Sequence, residues 1–220
     1  MAGRWATFDV YGTLIDWDDG IGRTLAQLWP ERETAALLRR YHEVEPVVER
    51  ERPDASYREV LAGTLRGIAD KEGLGLTAAH ESALADSLAE WPPFPDVKPA
   101  LEELRSRGWR LAPLSNTDPD FLEASLGRIG VPVDERVVAS EIGSYKPAHG
   151  HWLEFYRRTG ADRARHVHVA ASLLHDIAPA NELGLASVWI NRLGESAALR
   201  PTRELPDLSH LPDVLDELVV

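Results

Sequence analysis

Cysteine is absent from the chain of 220 residues, which excludes disulfides and thiolate metal sites. No apolar run approaches the roughly 18 residues of a membrane-spanning helix. Positive charge is scarce: 24 Lys and Arg stand against 36 Asp and Glu, a net charge of -12. That balance argues against sequence-independent nucleic-acid binding, which needs a basic stripe to displace counterions. It leaves room for a small anionic ligand at a locally positive site. Low-complexity segments and internal repeats are missing, and the first strand-like segment follows Met1 too closely for a signal peptide. A soluble, cytoplasmic protein is the expectation. The rest of the composition, 44% apolar and 27% charged, is ordinary for a globular chain long enough for a core with a sizeable insertion.

Arg4 to Val10 is apolar on both faces, as in a strand of a buried parallel sheet. From about Ile21 to Trp91 the pattern turns helical, with ETAALLRRYHEVEPVVE, SYREVLAGTLRGIA and TAAHESALADSLAEW carrying apolar residues at three- and four-residue spacing. Pro53-Asp54-Ala55-Ser56 precedes the second of these, and Thr77 is placed to cap the third. The proline-dense WPPFPDV then marks a boundary. Beyond it helix and strand alternate: VKPALEELRSRG, WRLAPLSN, PDFLEASLGRIG, RVVAS, PAHGHWLEFYRRTG, HVHVAAS, DIAPANELG and ASVWINR. Such alternation predicts an α/β fold, a parallel sheet with helices on both faces. The all-helical block reads as an insertion after the first strand.

In a parallel sheet ligands bind beyond the carboxyl ends of the strands. Four predicted strands carry polar residues there: Asp9, Ser115-Asn116, Lys146 shortly after RVVAS, and Ser172 to Asp176. Singly, each has a plain structural explanation. Asp9 could form a turn, Lys146 could be solvated, Asp176 could cap a helix and His175 could simply pack. Their convergence at one edge favours a site. HGH (149–151) and HVH (166–168) suggest metal, yet no partner cluster supports a ligand set, so no metal is expected.

These motifs resemble the haloacid dehalogenase superfamily, and within it the type II 2-haloacid dehalogenase branch. The matching residues are Asp9-Val10-Tyr11-Gly12-Thr13, Leu114-Ser115-Asn116-Thr117, Tyr145-Lys146-Pro147, Asp176 and Trp189 to Arg192. The resemblance implies a Rossmann-like core of residues 1–14 and 93–220 with a helical cap of residues 15–92. It implies that Asp9 attacks the α-carbon of a short 2-haloacid, expels halide and forms an ester, which water then hydrolyses to a 2-hydroxy acid. Lys146 would place positive charge beside Asp9, Asp176 would orient Lys146 and help position the water, and Thr13 would fix the loop. Ser115 and the N–H groups near Asn116 would hold the substrate carboxylate. An arginine over the leaving group would come from Arg39 or Arg40, which helix phase does not separate. No cofactor, nucleic acid or membrane partner is implied; a homodimer is.

Tyr11 is the informative position. Phosphatases of this superfamily resemble D-x-D, where the second acid protonates a leaving alcohol. Halide leaves as an anion and needs no proton, so a tyrosine there is free to line the pocket. Ala171 likewise stands where phosphatases carry an acidic magnesium ligand. The chain departs from the dehalogenase pattern too. Ala171, Leu173 and Trp152 replace a serine, an asparagine and a tyrosine, leaving Ser172 and His175 as polar substitutes. The alternatives are a magnesium-dependent phosphatase on small phosphate esters and a silent small-carboxylate-binding relative.

Overall fold

A computed structural model describes residues 3–52 and 55–219. Met1 and the Pro53-Asp54 pair noted above lie outside the described residues. The centre is a six-stranded sheet in the order β3-β2-β1-β4-β5-β6, parallel at every pairing. Its strands are β1 (Arg4–Phe8), β2 (Trp109–Ser115), β3 (Val137–Val138), β4 (His166–Ala170), β5 (Ala186–Ile190) and β6 (Arg203–Leu205). Strand direction fixes what each face buries. On β1, Ala6 and Phe8 enter the larger apolar cluster, while Trp5 joins Ala112, Leu114, Trp152 and Phe155 on the opposite face. An α/β sheet with both faces covered is the fold the alternation predicted.

Between β1 and β2 the chain leaves the sheet for α1 (Trp17–Leu28), α2 (Thr34–Glu51), α3 (Tyr57–Glu72) and α4 (Ala83–Ser87). The two connections lie side by side: Asp16 N–H donates to Pro92 O at 2.8 Å, and Phe94 N–H donates to Leu14 O at 3.0 Å. Ser56 caps α3 in a reciprocal box with Glu59. The Asp118 carboxylate also accepts from the N–H groups of Tyr57 and Arg58, at 3.3 and 3.1 Å, tying the start of α3 to the segment that follows β2. The third predicted helix is broken into short turns at Ala78–His80, Ala83–Ser87 and Leu88–Glu90, and Thr77 makes no side-chain cap.

The remaining helices are α5 (Val97–Ser106), α6 (Pro119–Ile129), α7 (Ala139–Ile142), α8 (Gly150–Thr159), α9 (Ala178–Glu182) and α10 (Leu211–Leu218). The sequence pattern did not mark α1, α7, α10 or β6. Gly20 and Gly22 hide α1, because glycine is a poor helix former; β6 is a three-residue edge with little burial.

Candidate active site

Asp9 follows β1 directly, and its N–H donates to Val169 O on β4 at 3.0 Å. The loop then turns through Gly12 at φ +85°, a backbone conformation that favours glycine, with Trp17 packed where a side chain would go. The turn brings Thr13 back, so its hydroxyl donates to Asp9 Oδ2 at 2.7 Å and accepts from Ala171 N–H at 2.9 Å. Arg192 braces the loop by donating to Thr13 O at 3.0 Å while paired with Asp96.

Lys146 is 3% exposed, and its ammonium lies between two carboxylates, 2.8 Å from Asp9 Oδ1 and 2.7 Å from Asp176 Oδ1. Burial works to discharge the lysine, but Asp176 and Asp9 outweigh it and hold its pKa above the usual value. Asp176 sits in a π-helical turn, Leu173–Ile177, of the kind often found at functional sites. Burial opposes its charge, yet Lys146 and His168 hold the carboxyl below the usual range. Its Oδ1 accepts from Lys146 and from His168 Nε2 at 2.9 Å; Oδ2 is buried and has no partner among the described residues.

Ser115 ends β2 with its hydroxyl buried and unpartnered among the described residues. Asn116 is committed elsewhere: its amide donates to Lys146 O at 2.9 Å and accepts from Lys146 N–H at 2.7 Å. Its side chain therefore positions the lysine. Tyr11 stacks on Tyr57 at 5.9 Å, meets Trp91 edge-on, and shares a 3.1 Å hydrogen bond with Ser125. Burial pushes its phenol up to about 12, so it is a neutral wall. Ser172 and His175 face each other, Ser172 Oγ accepting from His175 N–H at 3.1 Å.

The two arginine candidates are not brought to this cluster. Arg40 pairs with Glu72 and Glu43. Arg39 is exposed, on the side of α2 opposite the buried Tyr41 and Glu45. The inner face of α2 presents acids instead. Glu45 is buried beneath the phenols of Tyr41 and Tyr57, and the charge of Glu49 is felt at both Lys146 and His175. Sequence reasoning passed over Thr7 and weighed His166 and His168 only as a metal pair; the three form a buried polar strip behind Asp176. Two-residue spacing on one strand did place both rings on one face. Their partner, Thr7, comes only from the pairing of β1 with β4.

A carboxylate held beside a buried ammonium, backed by a second carboxylate with a free oxygen, can attack an electrophilic carbon and then activate water against the resulting ester. Comparison with known proteins agrees with that chemistry. Residues 4–184 match the family model for haloacid dehalogenase-like hydrolases. An (S)-2-haloacid dehalogenase of Pseudomonas sp. strain YL is 30% identical, over 85% of this chain and 82% of that protein. (S)-2-haloacid dehalogenase 4A of Burkholderia cepacia is 27% identical, over 98% and 93%. The solved L-2-haloacid dehalogenase of Xanthobacter autotrophicus with chloropropionic acid covalently bound superposes with a TM-score of 0.84, covering 97% of this chain and 98% of that one. At 20% identity this last match speaks for the fold.

Proposed function

Because the chain belongs to the haloacid dehalogenase-like hydrolase family, we propose that it cleaves the carbon–halogen bond of short 2-haloacids through an ester on Asp9. The observation that carries this reading is the Asp9–Lys146–Asp176 cluster, built beside Tyr11 and Ala171 where a phosphatase would need further acids. Asp9 attacks the α-carbon, the new carbon–oxygen bond forms as the carbon–halogen bond breaks, and halide leaves with the bonding pair. Lys146 and Thr13 each bond one Asp9 oxygen, holding the carboxylate in line for attack. The buried Ser115 hydroxyl and the main-chain N–H groups that follow it receive the substrate carboxylate. Water then attacks the aspartyl carbonyl with Asp176 as base, releasing the 2-hydroxy acid. Residues 15–92 act as the cap over this site, with Tyr57 stacked on Tyr11 and Glu49 turned toward the charge of Lys146. The same reading places the enzyme in the cytoplasm and makes it a homodimer. Among the described residues no helix is long and apolar enough to cross a membrane.

The test is halide release from chloroacetate, bromoacetate and fluoroacetate in EDTA, with wild type beside Asp9→Asn. Release that survives chelation in the wild type and disappears in the variant is the expected result. Magnesium-dependent hydrolysis of a phosphate ester in place of halide release would move the chain to the phosphatases. Saturable haloacid binding without turnover would make it a carboxylate-binding relative.

A further inference from the structure

Behind Asp176 runs a chain of hydrogen bonds that the reaction as described does not use. His168 Nε2 lies 2.9 Å from Asp176 Oδ1, and His168 Nδ1 lies 2.8 Å from Thr7 Oγ1. Thr7 Oγ1 is also 2.7 Å from His166 Nε2, and His166 Nδ1 is 2.5 Å from the phenol of Tyr156. Thr7, His166, His168 and Asp176 are all at most 1% exposed. The rings are walled by α8: Trp152 meets His168 edge-on at 5.1 Å, and Phe155 packs on His166 at 5.0 Å. A carboxylate oxygen offers only lone pairs, so Nε2 of His168 carries a proton and donates it.

We propose that His168 is the positioning residue for Asp176: its Nε2–H, braced by Thr7, His166 and Tyr156, occupies Oδ1 and leaves Oδ2 as the base toward water. The inference rests on the dehalogenase reading for its second half-reaction. There the water oxygen bonds to the aspartyl carbon and its proton passes to Oδ2. The acyl–oxygen bond breaks, and the departing 2-hydroxy oxygen takes that proton. The carboxylic acid left on Asp9 gives its remaining proton to solvent. His168 thereby does the work of the polar groups that Ala171, Leu173 and Trp152 replace, and Trp152 acts as its wall. The chain holds its shape and does not conduct protons. Burial pushes His166 down to about 3 and Tyr156 up to about 12, so neither group at the end remote from Asp176 gains or loses a proton near neutral pH.

Four proteins test this: wild type, His168→Leu, His168→Gln and Thr7→Val, each followed by rapid quench with intact-mass detection of the Asp9 ester. His168→Leu is expected to lower kcat by roughly 100-fold, with KM falling in step so that kcat/KM is nearly kept and with accumulated ester, because only hydrolysis loses its base geometry. Its acidic limb of kcat moves to higher pH, since the carboxylate loses a donor. The other titratable groups facing Asp176 are unchanged, namely Lys146 with Asp9 and Glu49 beyond it, and His151 of α8, which burial keeps neutral. His168→Gln, which keeps an N–H, restores most of the rate, and Thr7→Val shows a smaller shift of the same sign. Unchanged kcat and pH limb in a folded His168→Leu protein would overturn the proposal. So would a loss that spares the ester step and is not rescued by glutamine. If the leucine variant does not fold, the glutamine and valine variants decide by the same readouts. Nitrogen-15 histidine spectra of the wild type need no substrate: a bare Nε2 on His168 sinks the inference. A protonated Nε2 in an enzyme that releases no halide sinks the dehalogenase reading instead and leaves the clamp in place.

Discussion

Lys146 and Glu45 are both buried, and their partners send them to opposite charge states. Lys146 has two carboxylates at hydrogen-bond distance, which more than offset burial and keep it an ammonium. Glu45 has two phenols and a second acid nearby, so burial and then Glu49 push its carboxyl up to about 8. In the unfolded chain the same group titrates near its ordinary value of 4.5. Between these two values the unfolded state gives up a proton that the folded state keeps, so this residue makes stability fall as pH rises. Glu45→Gln keeps the neutral shape and removes that slope. Urea unfolding at about pH 5 and about pH 9 should show the variant gaining on the wild type at the higher pH. A constant difference between the two would mean that Glu45 is ionised in the fold.

Helix α1 shows local propensity yielding to contact. Its Gly20 should weaken a helix by about 1 kcal/mol relative to alanine. A Cβ there, however, would lie 2.2 Å from Cγ of Trp91, a buried residue that also meets Tyr11 edge-on. The steric term wins: Gly20→Ala should destabilise by about 1–3 kcal/mol, despite the better helix former. Thermal unfolding reads the loss, and a rise in KM for haloacid would accompany it as Trp91 pushes Tyr11. A higher melting temperature would show that Trp91 has room to move. The same logic explains Gly12, where a positive φ and the face of Trp17 both exclude a side chain.

The inserted helices and the sheet share one apolar cluster. Ile21, Leu25, Leu61 and Leu84 from the inserted block belong with Ala6, Phe8, Val167 and Val188 from the sheet. The paired connections at residues 14–16 and 92–94, and the Asp118 bonds to the start of α3, add ties across the junction. The insertion should therefore not melt on its own. Calorimetry is expected to give one transition, with a ratio of calorimetric to van't Hoff enthalpy of about one. Two resolved transitions would mean that the insertion has a core of its own.

Much of this protein is legible from order and spacing alone. Strands buried on both faces read as unbroken apolar runs, and polar residues at their carboxyl ends stand out against them. Asp9, Ser115, Lys146 and Asp176 are visible in that way, and so is the α/β alternation. Tyr11 and Ala171 carried the choice of chemistry, because a missing acid is as readable as a present one. Partners across the fold are not legible. Thr7 meets His168 only because β1 pairs with β4, and Asn116 holds Lys146 across 30 residues of chain. Neither Arg39 nor Arg40 reaches Asp9, because α2 turns its Glu45 side inward; periodicity gives a helix its faces, and the surrounding core decides which of them is buried.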